Sequence, residues 1–422
     1  MIVLLPNCGF LSETSRMLAI AQALRARGAP ATIASHGGPY EHLLDEAGVS
    51  WTRLEPRMDA TTSVAFLDGV LSLGRGNKPL YPDGFIREAA LAEAELFRKV
   101  GAKMAVIGFN LTSYLSSRLA HVPLASSHGG SFLPIALERG LCPAPVNPPT
   151  TLFARLPGLA QRWLANHAPW WLKSPVRDLN RVADELGVEK LPSFMSLMCA
   201  DLTLVTEVPD VLGIAKEELE AWRPRKGSLS PTTRMRYVGP LFAQLERPVP
   251  ERVSEFLSGQ GPVVYVAPTS VKERLLRSLV STVREAGARV LVAATVHDVK
   301  DLESERVMVE SVLPSHALMP QVAAAVIMGG QGSVQTAMVS GTPFVGMPYH
   351  GEQELNVALA ERRGMAIRLS PRLAGSRHMT AGVRRLLDDP SFRRSAAEVR
   401  ALYAGVDGAD GAARAIIDYL RV

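Results

Sequence analysis

Cysteine is scarce: Cys8, Cys142 and Cys199 are the only three in 422 residues. They are odd in number, widely spaced and without histidines at metal-ligand spacing, so neither a disulfide framework nor a thiolate metal site is expected. They read as reduced thiols. No apolar run approaches the ~18 residues that a membrane span needs. The opening Met-Ile-Val-Leu-Leu-Pro has no basic leader and is cut off by Pro6 and Gly9, so a first strand is expected there instead of a signal peptide, and with it a cytoplasmic location. No DxD-type acidic pair and no histidine pair at metal spacing occurs, so no metal is expected and no other cofactor is implied. The net charge of +5 is spread along the chain with no basic block interleaved with aromatics, which argues against a nucleic-acid partner. Anionic ligands remain compatible with that mild excess.

With 47% hydrophobic and 21% charged residues, the chain reads as globular and long enough for two domains. Its most informative stretch runs from Val326 to Asn356. Ala323 to Met328 has the length of a buried strand, and Gly329, Gly330, Gln331, Gly332 and Ser333 follow as a turn. Val334, Ala337 and Met338 then fall at helical spacing. A strand, a glycine turn and a helix N-terminus offer unsatisfied N–H groups and partial positive charge, which suit a phosphate; close packing is the other use of such a turn. Gly341 and Pro343 end that helix, Phe344 to Met347 form a strand, and Glu352, Gln353 and Asn356 stand at the next strand end and helix start.

In the N-terminal half, Ile2 to Leu5 and Ala31 to Ala34 read as parallel strands around a helix from near Thr14, with Met17, Ile20, Ala21 and Leu24 on its apolar face. The first loop opens where ligands bind in open α/β sheets. Glu13, in that loop or on the first helical turn, is either an N-terminal cap or a general base. Arg16 reads as its surface ion-pair partner, with a ligand phosphate as the alternative. Thr61 to Pro82 is expected to be a mobile loop or short helix over the cleft. A helix over Gly84 to Val100 and strands over Met104 to Phe109, Leu124 to Ser127 and Leu202 to Thr206 follow. His128, in the glycine loop after Leu124 to Ser127, is either a solvated residue or one that hydrogen-bonds a ligand or assists Glu13.

Thr151 to Leu179 sets Trp163, Trp170 and Trp171 among leucines, arginines and lysines. It reads as a membrane-surface segment or, the expectation adopted because Pro157, Pro169 and Pro175 break it, as helices packed on their own domain and walling a ligand pocket. An apolar wall suits an apolar or aromatic ligand. Linker signals occupy Trp222 to Thr233 and Arg247 to Pro250. Val263 to Ala267, Val290 to Ala293 and Val307 to Ser311 are strands, Leu275 to Ala286 is a helix, and Ala412, Ala413, Ile416, Ile417 and Leu420 mark a final helix.

Met328-Gly-Gly-Gln-Gly-Ser333, Gly341-Thr-Pro343-Phe-Val345 and Pro348-Tyr-His-Gly-Glu352-Gln353-Glu-Leu-Asn356 together resemble the HGGxGT, GxPxV and PxxxDQxxN signatures of nucleotide-sugar-dependent glycosyltransferases, the group with the antibiotic and macrolide enzymes. The resemblance implies an α/β chain of the GT-B fold, with two Rossmann-like doubly wound domains facing each other across a cleft. It implies an acceptor domain over residues 1–235, with a helix at 404–422 packing back on it, and a donor domain over 236–403. The glycine loop, with Met328 in the usual histidine position, would hold the diphosphate. Thr269 and Ser270 would contact phosphate, Pro314 and His316 would lie by the nucleotide base, and Glu352, Gln353 and Asn356 would hold the sugar. Glu13 falls where relatives carry the base that deprotonates the acceptor. Met328 can donate no hydrogen bond to phosphate, and Glu352 is longer than the usual aspartate.

The implied activity is inverting, metal-independent transfer of a sugar from a nucleotide-sugar to a hydroxyl of a small, natural-product-like acceptor. An epimerase of the same fold and a non-catalytic homologue binding a ligand or partner are the alternatives. Membrane contact is not expected, and the chain is expected to be a monomer or homodimer.

Overall fold

The computed structural model describes residues 1–71, 79–131, 133–242, 248–268, 271–294 and 297–421. The chain divides into two compact units, Met1–Gly140 with Asn166–Ala243 and Val406–Val422, and Leu141–Ala165 with Gln244–Gly405.

The first unit is built on seven strands: β1 (Ile2–Leu5), β2 (Ala31–Ser35), β3 (Trp51–Arg53), β4 (Met104–Ile107), β5 (Leu124–His128), β6 (Leu202–Val205) and β7 (Arg234–Tyr237). They pair in the order β3-β2-β1-β4-β5-β6-β7, all parallel. β1, β4 and β6 are buried along their whole length, as befits apolar strands covered by helices on both faces. The order reverses between β1 and β4, and Leu5 pairs with Ile107. Loops from the two strand ends therefore leave side by side in opposite directions, which opens a crevice at the carboxyl edge.

The helix Leu11–Ala26 buries Met17, Ile20, Ala21 and Leu24 in the core of this unit, where Ala412, Ala413 and Ile416 of the helix Gly408–Arg421 also lie. Backbone meets backbone there. A Cβ at Gly408 or Gly411 would lie 2.1 Å from a carbonyl oxygen of Pro240 or Val238. Arg27 and Asp410 pair at 2.5 Å.

Five donors meet at Glu93, on the helix Phe85–Lys99 and 0% exposed. Oε1 accepts from Asn110 Nδ2 at 3.0 Å and from the Thr112 hydroxyl, and faces His36 Nε2 at 3.2 Å. Oε2 accepts from Ser113 at 2.8 Å and Ser116 at 2.6 Å. His36 Nδ1 lies 3.0 Å from the Pro56 carbonyl oxygen, so a ring protonated on both nitrogens donates at each. Burial opposes ionisation of Glu93, but these partners, His36 foremost, outweigh it and hold the carboxyl below its ordinary value. The carboxylate thus fastens the ends of β2 and β4 to one helix.

The second unit carries β8 (Val263–Ala267), β9 (Arg289–Ala293), β10 (Val307–Glu310), β11 (Ala324–Ile327), β12 (Phe344–Gly346) and β13 (Ala366–Arg368). The order is β10-β9-β8-β11-β12-β13, again parallel, with its reversal between β8 and β11, where Ala267 pairs with Ile327.

Two findings revise the expected organisation. Arg234–Tyr237 is a strand of the first sheet, so the first unit runs past residue 235 to Ala243. Leu141–Ala165 belongs to the second unit, because buried Glu354 accepts from the backbone N–H of Val146 at 2.8 Å and Asn147 at 3.3 Å. Arg368 joins Glu354 at 2.7 Å and donates to the Ala144 carbonyl at 3.1 Å, while Arg362 reaches the Leu141 carbonyl at 2.5 Å. Thr61 to Pro82, expected as a mobile loop or short helix, is the helix Ala60–Leu71 in its first part, and 72–78 lie outside the described residues. The three cysteines are buried and form no disulfide; burial pushes the Cys8 thiol up to about 11 and those of Cys142 and Cys199 to about 12.

Because its native value is lowered, Glu93 contributes stability that is fully present above the ordinary carboxylate value of 4.5 and is lost as pH falls through the native one. Glu93→Gln is expected to cost roughly 3 kcal/mol at neutral pH and to flatten that acid dependence. Urea unfolding of both proteins between pH 3 and 7 measures the two slopes.

Candidate functional site

The crevice of the first unit is fixed by its loops. Asn7 donates to the Phe109 carbonyl at 3.3 Å and accepts from Gly9 N–H at 3.0 Å, tying the loop after β1 to the loop after β4. From the other side Tyr40 N–H donates to the Cys8 carbonyl at 3.0 Å. Gly38, at φ +136, approaches so closely that a Cβ would lie 2.3 Å from the Cys8 carbonyl carbon. The helix Leu11–Ala26 starts from this clamped loop and carries Glu13 in its first turn.

Glu13 is 8% exposed and caps nothing. Its carboxylate fills the space where Gly108 lacks a side chain: a Cβ there would stand 1.5 Å from Oε2. Oε1 lies 3.4 Å from Arg16 Nη1, which also donates to the Ser127 carbonyl at 3.0 Å. Oε2 has no hydrogen-bond partner. Burial raises the Glu13 pKa, and the Arg16 charge and the Phe109 N–H pull it back only in part. A buried carboxylate with a raised pKa and a free oxygen is equipped to take a proton.

Arg16, expected on the surface, is 5% exposed. Its Nε, the Ser127 hydroxyl and His128 Nε2 are likewise buried and unpartnered. His128 makes no hydrogen bond to Glu13. Burial, aided by the Arg16 charge, lowers its pKa to about 3, which keeps the ring neutral at physiological pH. Its carbonyl accepts from Thr206 N–H at 2.8 Å.

An apolar wall stands beside Glu13, built from residues whose spacing gives no sequence signal. The rings of Phe10 and Phe109 lie 6.5 Å apart, and Phe66 sits 6.0 and 5.9 Å from them. Tyr81 extends the cluster at 4.9 Å from Phe66 and stacks on Phe85 at 5.1 Å. The segment from Thr151 to Leu179 packs as expected only in its later part, where Val176 and Leu179 are buried in the first unit. Leu152, Leu159, Trp163 and Trp171 are exposed.

In the second unit the glycine loop Met328–Gly330 follows β11 at the reversal point and leads into the helix Gln331–Ser340. No side chain caps that helix: its N-cap is Gly330, and the Ser333 hydroxyl donates back to the Gly330 carbonyl at 3.0 Å. A Cβ at Gly332 would meet nothing within 4 Å, so the first turn presents open backbone. Gly329, at φ +91, is required: a Cβ would lie 2.6 Å from Val357 Cγ2. Met328 is not at this surface; its side chain is 3% exposed in the core with Val266, Val326 and Met347, because the residue ending a doubly covered strand points inward.

Asn356 is 5% exposed and acts from beneath, donating to the Gly329 carbonyl at 3.1 Å and to Glu352 Oε1 at 2.8 Å. Glu352 Oε2 lies 3.8 Å from His350 Nδ1, and Gln353 Oε1 accepts from Tyr349 N–H at 2.8 Å. Both remain partly exposed at the start of the helix Gly351–Arg362. Pro314 is buried at the start of the short helix Ser315–Leu318, which the Tyr265 and Ser315 hydroxyls join to β8 at 2.8 Å; His316 on it is half-buried. Thr269 and Ser270 lie outside the described residues. Among the described residues no group of three or more His, Cys, Asp or Glu is placed to hold a metal ion.

Residues 218–404 match the family described as UDP-glucoronosyl and UDP-glucosyl transferase. The chain is 33% identical over 244 residues to 4'-demethylrebeccamycin synthase of Lentzea aerocolonigenes, covering 55% of each chain. It is 27% identical to UDP-glucuronosyltransferase 2B14 of Oryctolagus cuniculus over 38% of this chain and 32% of that one. Its matches to these curated relatives thus span about half of their length or less. Among solved structures, the glycosyltransferase VinC in complex with dTDP superposes over 100% of both chains with a TM-score of 0.67 at 15% identity. The two parallel-sheet, Rossmann-like units are those of the GT-B fold.

Gly329→Ala is expected to destabilise the protein by about 1–3 kcal/mol, since it combines a positive φ with a clash against Val357. Gly332→Ala is expected to change stability by less than ~1 kcal/mol and to weaken binding of a nucleoside diphosphate. Denaturant melts and calorimetric titration of the two variants separate these effects.

Proposed function

We propose that this chain is an inverting glycosyltransferase that moves a sugar from a nucleotide-sugar to a hydroxyl of a small, apolar or aromatic acceptor. The observation that carries the reading is the content of the two reversal points: one holds a buried base with a free oxygen, the other an open helix N-terminus. The family match over residues 218–404 and the named relatives support the donor half.

Glu13 takes the proton of the acceptor hydroxyl, and the oxygen attacks the anomeric carbon from the face opposite the diphosphate. The bond to the diphosphate oxygen breaks with inversion. The leaving charge is met by the N–H groups and dipole of the helix Gln331–Ser340, a stabilisation that needs no metal. Glu352 and Gln353 hold sugar hydroxyls, while Asn356 positions Glu352 and the glycine loop. Pro314 and His316, with Thr269 and Ser270, serve the nucleotide. Phe10 and Phe109 receive an aromatic acceptor face. Neutral His128 and Arg16 offer hydrogen bonds to its polar groups.

Thermal-shift measurements with UDP and dTDP, followed by donor turnover, test the proposal. A nucleoside diphosphate is expected to raise the melting temperature, and absence of stabilisation by any nucleotide overturns the reading. Glu13→Gln is expected to lower transfer ~10²–10⁴-fold while leaving nucleotide binding intact. Gly108→Ala should approach that loss by displacing the carboxylate. Because Glu13 acts ionised and its pKa is raised, kcat/KM is expected to fall with decreasing pH on a limb lying above 4.5. That limb should vanish in Glu13→Gln.

A further inference from the structure

Residues 139–177 contain Arg139, Arg155, Arg162, Lys173 and Arg177 and no aspartate or glutamate, together with three of the five tryptophans of the chain. Four of the large apolar side chains here are exposed, Leu152 at 73%, Leu159 at 84%, Trp163 at 51% and Trp171 at 57%, while Phe153, Leu164 and Trp170 are half-buried. These are four of the nine exposed large hydrophobics among the described residues, gathered within one short helix, Thr151–Ala154, and its successor, Gly158–Trp171. Scattered apolar side chains on a surface need no explanation; a concentrated set does. Along the sequence they alternate with cations: Arg155 lies between Leu152 and Leu159, Arg162 precedes Trp163, and Lys173 follows Trp171.

We propose that residues 151–173 dock on an anionic membrane surface. Indole rings and leucines enter the boundary between headgroups and acyl chains, and the cations remain at the level of the lipid phosphates. Charge selects this occupant: a segment with three cations and no carboxylate of its own is attracted to a sheet of phosphates. The contact lies on the surface, since among the described residues no helix is long and apolar enough to cross a membrane.

Co-sedimentation of the full chain with vesicles of phosphatidylcholine, with and without phosphatidylglycerol, tests this independently of any turnover. Binding is expected to rise with the anionic lipid and to fall with added salt. Leu152→Glu with Leu159→Glu should abolish it. Arg155→Gln with Lys173→Gln should weaken it about fivefold per charge removed, with the melting temperature of both variants unchanged. Failure to bind anionic vesicles, or binding that survives both double variants, overturns the proposal. So does light scattering that finds a dimer which Leu152→Glu with Leu159→Glu dissociates, because the apolar face would then belong to a second copy.

Discussion

Both candidate sites in this protein depend on one constraint of parallel sheets. Where strand order reverses, two neighbouring loops must part, and the backbone groups at those strand ends lose their lateral partners. In the first unit the gap between β1 and β4 is spanned by Asn7 and filled by Glu13. In the second, between β8 and β11, the gap is bordered by Gly329 and Gly330 and by an uncapped helix. The same topological event thus places a buried carboxylate at one reversal point and bare backbone N–H groups at the other.

Rigidity is supplied from behind. Glu93, with hydroxyl, amide and imidazole donors, fixes the segment after β4 that carries Asn110 and Thr112. Asn356 does the equivalent for the glycine loop, holding the Gly329 carbonyl and Glu352 with one amide. Both are buried polar groups whose value lies in holding an arrangement, because a satisfied network is costly to disturb and an unsatisfied one costlier still. The region around Glu13 contrasts with both, since Glu13 Oε2, Arg16 Nε and His128 Nε2 are all buried without a hydrogen-bond partner.

Much of the fold was legible because doubly covered strands are continuous apolar runs; β1, β8 and β11 fall within a residue of their expected limits. The strands without a sequence signal, β3, β7 and β13, are all edge strands, and Arg234-Met-Arg-Tyr237 illustrates why. One flank of an edge is wet, so it tolerates charge and loses the apolar pattern. The carboxylate at Glu13 was visible, but its burial was not, since it depends on Gly108 lacking a side chain far along the chain. Arg16 departs from the surface expectation for the same reason: a pair spaced three residues apart on a helix looks solvated until another strand end covers it. The aromatic wall of Phe10, Phe66 and Phe109 has no periodicity to read. The exposure of Leu152, Leu159, Trp163 and Trp171 is set by tertiary contacts that local pattern does not record.

The threading of the chain through its two units bears on how it is made. Residues 141–165 leave the first unit for the second, and 406–422 return. On a ribosome, the first sheet has all its described strands once residue 237 has emerged, yet the face that Ile20 and Leu24 present in the core with Ala412, Ala413 and Ile416 stays uncovered until the whole of the second unit has been synthesised. The half that begins first is completed last, and during that interval its apolar helix face is open to whatever else is present in the cell.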